Sequence, residues 1–81
     1  MKEEIKTDRE LDCRGLKCPM PILKTKMAIE EIQIGQVLKV IATDKGSKSD
    51  MQAFSERTGH ALLSAEEKEG FFIYYIRKSA G

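Results

Sequence analysis

A chain of 81 residues, 41% of them hydrophobic and 33% charged, is sized for one domain and has the balance of a globular protein rather than of a disordered tail. Its 14 Lys and Arg against 13 Asp and Glu leave a formal charge of +1, too small an excess to capture nucleic acid by neutralising phosphates. A domain this small also has too thin a core to enclose a deep substrate cavity, so any site is expected at its edge.

No apolar run approaches the ~20 residues needed to cross a bilayer. The opening stretch MKEEIKTDRE carries acidic residues where a signal peptide would be apolar, so the chain reads as cytoplasmic and not membrane-associated. Cys13 and Cys18, five positions apart and with one histidine elsewhere, supply neither a disulfide framework nor a tetrahedral zinc set. Neither a metal nor a cofactor is expected.

Residues 1–81 are read as one domain, with 1–8 a flexible or edge-strand N-terminus. Arg9 to Cys13 reads as a short strand that ends in a turn at Arg14-Gly15. Cys18-Pro19-Met20-Pro21 follows, and its prolines are tolerated only in the first turn of a helix, where backbone N–H groups have no intrahelical acceptor. A helix is therefore predicted over roughly 19–33. Its buried stripe is Ile22, Ala28, Ile29 and Ile32, with Thr25 between them, and Gly35 is its stop.

Residues 37–43 (VLKVIAT) are β-branched and weakly alternating, as in a central strand. Asp44-Lys45-Gly46-Ser47 is turn chemistry, and Ser49 with Gln52 has capping-box spacing, which predicts a second helix over about 50–58. Met51, Phe54 and Ala53 are its candidate buried side, and Gly59 its left-handed stop. Residues 61–67 and 71–78, separated by a charged turn with Gly70, read as a hairpin. The order β-α-β-α-β-β predicts an α/β (α+β) two-layer sandwich: a four-stranded mixed sheet with both helices on one face.

Cys18 carries the candidate chemistry. With Pro19 as the first helical residue, Cys18 stands at the N-cap, where free N–H groups and the positive end of the helix dipole favour a thiolate. Arg14, Lys17 and Lys24 are basic neighbours in sequence, and Pro19 fixes the direction in which the chain enters the helix. No base, second nucleophile or phosphate loop is close in sequence, so hydrolysis and phosphoryl transfer have little support. A capped thiolate can instead attack a sulfane sulfur, hold it as a persulfide and pass it on. Position alone leaves a second reading open, that of a small buried filler.

Other residues carry paired readings. Cys13 is a candidate resolving thiol for a Cys18 persulfide, or a strand-end packing residue. Asp12 is a candidate brace for the turn through backbone N–H groups, Arg14 a candidate partner for an anionic sulfur, and Gly15 a conformational residue. Met20, Leu23 and Met27 lie off the buried stripe and form a candidate apolar partner surface rimmed by Lys17, Lys24 and Lys26, or else pack at the helix edge. His60 is read as a capping or packing residue rather than a base.

Leu11-Asp12, Gly15-Leu16 and Cys18-Pro19-x-Pro21 together resemble the signature of the TusA-like (SirA-like) sulfur-carrier family. Gly35 before the Val-rich strand, Asp44, Asp50-Met51-x-x-Phe54 and Gly59-His60 extend the resemblance from about Leu11 to Lys78. It implies the β-α-β-α-β-β sandwich and a persulfide on Cys18. It also implies sulfur donors of the cysteine desulfurase or rhodanese type and acceptors such as DsrE-type proteins, serving tRNA thiolation, molybdenum-cofactor assembly or sulfur oxidation. Lys45, where the tRNA-thiolation members usually have proline, and Cys13 are departures. The competing readings are a non-covalent protein- or RNA-binding regulatory module and a Cys13/Cys18 redox switch.

Overall fold

Leu38, Val40 and Ala42 alternate along one strand and are fully buried, whereas Lys39 and Ile41 between them are only half-buried. That period of two marks a strand with one face in the core. The computed structural model describes residues 7–17 and 20–79 and gives six elements: β1 (Arg9–Cys13), α1 (Met20–Glu31), β2 (Val37–Ala42), α2 (Ser47–Thr58), β3 (Ala61–Lys68) and β4 (Phe71–Arg77). The expectations for residues 1–6 fall outside the described residues. Asp8, just before β1, is tied to Val37 in both directions: its N–H donates to the Val37 carbonyl (2.9 Å) and its Oδ2 accepts the Val37 N–H (2.9 Å).

The sheet order is β1-β2-β4-β3. β1 runs parallel to β2, as a helical crossover requires, and β4 is antiparallel to both β2 and β3. Register aligns Leu11 with Val40, Cys13 with Ala42, Leu38 with Ile76 and Val40 with Tyr74, so these side chains share one face. Ala28 and Ile29 of α1 and Ile32 just beyond it, with Met51 and Phe54 of α2, close the core over that face. This is the predicted two-layer sandwich.

The helices are where details depart from expectation. α1 ends at Glu31, short of 33: the Gln33 N–H donates to Gln36 Oε1 (2.8 Å) instead of continuing the helix, and Lys78 Nζ donates to the Ile32 carbonyl (2.7 Å), satisfying a C-terminal acceptor. The predicted capping box does not form. α2 begins at Ser47, so Ser49 and Gln52 lie inside it, and its N-cap is Gly46, which has no side-chain cap. Asp44 makes the turn instead: its Oδ2 accepts the Gly46 N–H (3.1 Å) and its carbonyl the Ser47 N–H (3.1 Å). The earlier start buries Ser47, whose hydroxyl pairs with that of Tyr74 at 2.6 Å. Ala53 is exposed rather than buried, because Met51 and Phe54 already occupy the core-facing side. Gly59 closes α2 with φ +85°, as predicted.

The hairpin forms with a bulge between Leu62 and Ser64, where β3 slips relative to β4. His60, before β3, is buried against the Phe54 ring (centroids 6.1 Å apart). Its Nδ1 accepts the Ser79 N–H (3.2 Å), so the neutral ring carries its proton on Nε2. Burial, and then the charge of Lys78, push its pKa below 6.5. Above pH 6.5 both folded and unfolded states hold a neutral ring. As pH falls through that value the unfolded chain binds a proton that the folded one resists, so stability declines. Urea midpoints should therefore drop between pH about 7.5 and about 5.5, and His60→Asn, which keeps an acceptor without the titration, should flatten that slope.

Candidate functional site

β1 and β2 end side by side, with Cys13 beside Ala42, and the chain leaves both strands into the loops 14–17 and 43–46. The first loop is fixed by Asp12. Its Oδ1 accepts the Arg14 backbone N–H (3.0 Å) and the Arg14 Nε–H (3.0 Å), while Oδ2 accepts from an Arg14 terminal nitrogen (2.9 Å). Those bonds hold the Asp12 carboxyl below its ordinary pKa and raise that of Arg14. The Asp12 carboxylate thus ties the Arg14 backbone and guanidinium to the end of β1.

Gly15 has φ +84°, a conformation that side chains disfavour, and its N–H donates to Thr43 Oγ1 (2.9 Å). Thr43 is a residue that sequence reasoning missed. Its place in the β-branched run 37–43 marks it only as strand, and the register of β1 against β2 is what brings its hydroxyl to the glycine. Leu16 is half-buried against the core, its N–H bonded to the Cys13 carbonyl (3.2 Å). The two loops bound an open groove of about 420 Å3 lined by Gly15, Leu16, Lys17, Thr43, Asp44 and Lys45.

The chain then enters α1. The Met20 N–H donates to the Lys17 carbonyl (2.8 Å), and Pro21 is fully buried, anchoring the first turn on the core. Cys18 and Pro19 lie outside the described residues. In sequence they lie between Lys17, which is exposed and lines the groove, and Met20, the first residue of α1. Exposed Lys17, Lys24 and Lys45 supply positive charge on this side.

Met20, Leu23 and Met27 are 40%, 48% and 66% exposed, an apolar strip on the outer side of α1, with Lys24 and Lys26 exposed beside it. Cys13 has the opposite character. It is 0% exposed in the core, and burial, reinforced by the Asp12 charge, raises its thiol pKa. A protonated thiol among aliphatic neighbours is a packing residue, so the described fold does not present Cys13 as a resolving nucleophile. His60 lies with the opposite ends of the strands and does not join this loop cluster.

Residues 9–78 match the family model described as Sulfurtransferase TusA. The chain belongs to the TusA family. It is 49% identical over 72 residues to the sulfur carrier protein TusA of Allochromatium vinosum, an alignment covering 89% of this chain and 95% of that protein. With the sulfur carrier protein TusA of Pseudomonas entomophila it shares 42% identity over 73 residues, covering 90% and 91%. Its fold matches the crystal structure of a SirA-like protein from Desulfitobacterium hafniense with a TM-score of 0.77 and 26% identity, covering 89% of this chain and 99% of that one. As a TusA-family protein the chain is a sulfur carrier that relays sulfur as a persulfide between partners. Among the described residues no helix is long and apolar enough to cross a membrane.

Proposed function

We propose that Cys18 is the carrier residue. Its thiolate attacks the terminal sulfur of a donor protein's persulfide, the S–S bond of the donor breaks, and the donor cysteine leaves as a thiolate while Cys18 becomes the persulfide. The same exchange in the next step passes the terminal sulfur to an acceptor thiolate and regenerates the Cys18 thiolate. The sulfane sulfur keeps its oxidation state throughout, so the relay needs no cofactor. The observation that carries the reading is the Cys18-Pro19-Met20-Pro21 element within the family match, preceded by a loop that Asp12, Gly15 and Thr43 brace.

The donor is read as a cysteine desulfurase or a rhodanese-type protein and the acceptor as a DsrE-like or other sulfur-accepting protein. The pathways in view are tRNA thiolation, molybdenum-cofactor assembly and sulfur oxidation. Met20, Leu23 and Met27 are read as the partner surface, with Lys17 and Lys24 steering acidic partners. Burial of Cys13 weighs against the redox-switch reading, since a disulfide would require its thiol to leave the core.

Intact-mass analysis tests the carrier. After incubation with a cysteine desulfurase and cysteine, the wild-type protein should gain one reducible sulfur and Cys18→Ser none. Iodoacetamide should label Cys18 in the folded protein and Cys13 only after unfolding. A sulfur adduct on Cys18→Ser equal to that of the wild type would overturn the assignment.

A further inference from the structure

At the end of the sheet opposite the 14–17 loop, the last turns of α1 and α2 and the residue after β4 enclose a groove of about 490 Å3, within the ~300–1,000 Å3 typical of small-molecule sites. Ile29 and Phe54, 1% and 6% exposed, give it apolar surface. Thr58 and His60 line it, and Lys26, Glu30 and Lys78 complete it.

Most of its polar groups are already engaged. Thr58 Oγ1 donates to the Phe54 carbonyl (2.7 Å) and accepts the His60 N–H (3.4 Å). Lys78 Nζ donates to the carbonyls of Ile32 (2.7 Å) and Glu30 (3.4 Å). Two donors remain. With Nδ1 of His60 accepting from Ser79, its Nε2–H has no partner among the described residues. No buried side-chain nitrogen or oxygen among them lacks a partner, so Nε2 reaches solvent, and the groove is the space its ring lines. Lys26 is exposed and makes no ion pair among the described residues.

We propose that this groove binds a small amphiphilic monocarboxylate, its apolar body on Ile29 and Phe54 and its carboxylate accepting from His60 Nε2–H and the Lys26 ammonium. Two free donors match two carboxylate oxygens. Lys26 and Lys78 against Glu30 leave one net positive charge, which suits a monoanion, whereas a phosphate dianion would also face the Glu30 carboxylate.

Octanoate is the probe, with octanol as its uncharged counterpart, titrated into the full chain while 1H–15N spectra are recorded. Octanoate should shift the amides of Ile29, Phe54, Thr58 and His60 saturably, with a dissociation constant on the order of 1 mM. Lys26→Glu, a change on an exposed helix position, should weaken binding about tenfold with the rest of the spectrum unchanged. Cys18→Ser should bind octanoate as the wild type does, which separates this site from the sulfur chemistry. Absence of saturation below about 20 mM, equal binding of octanol, or shifts centred on Met20, Leu23 and Met27 would each overturn the proposal.

Discussion

Replacing Leu23 and Met27 together by glutamine should slow loading of Cys18 by a donor protein about tenfold or more, while iodoacetamide labels the thiol at nearly the wild-type rate. Both side chains are exposed, 48% and 66%, so the change removes apolar contact surface without opening the core. Glutamine is a good helix former, which leaves α1 intact. It also adds no charge near the thiol, so any loss reports docking rather than thiolate content. Fixed apolar anchors at an interface centre commonly carry the energy equivalent of a tenfold or larger change in affinity. Quenched intact-mass time courses with a desulfurase give the loading rate. A parallel fall in iodoacetamide labelling would mean that the strip acts on Cys18 itself and not on the partner.

Leu38→Ala should have the largest effect on stability, about 3 kcal/mol. Leu38 is 0% exposed on an interior strand, opposite Ile76 and under both helices through the shared core. Truncation loses transfer free energy and leaves a cavity that flanking strands, fixed by ladder hydrogen bonds, can close only in part. At roughly 0.05–0.15 kcal/mol per residue, a chain of this length has about 4–12 kcal/mol in total, so the variant would forfeit a large share of it. Urea unfolding should show a lower midpoint with an unchanged slope. A loss under about 1 kcal/mol would show that the core around Leu38 collapses freely.

Much of this architecture was legible in the sequence because its signals are local. A β-branched apolar run marked β2, the prolines set the start of α1, and Gly59 closed α2 at the predicted position. The misplaced start of α2 has a physical cause. Ser49 and Gln52 satisfy a spacing rule, but Asp44 takes the Gly46 and Ser47 N–H groups and turns the chain earlier, and burying Ser47 against Tyr74 requires knowing that β4 lies beneath.

The candidate site divides in the same way. Asp12 and Gly15 follow from short-range turn chemistry, as does the exposed strip from helical spacing. Thr43 and the opposing loop do not, because their approach depends on the parallel register of strands separated by a whole helix. Burial of Cys13 is likewise a tertiary fact, since five residues of strand present alternating faces and the sequence does not say which one the helices cover.

The strand directions have a practical corollary. β1 begins beside Leu38 and β4 ends beside Val37, whereas the braced loop leaves the sheet beyond Cys13 and Ala42, at the far margin. An affinity tag or a second folded module attached through Thr7 or Ser79 would project from the opposite pole. Immobilising the carrier through either attachment point should therefore leave a visiting enzyme unobstructed.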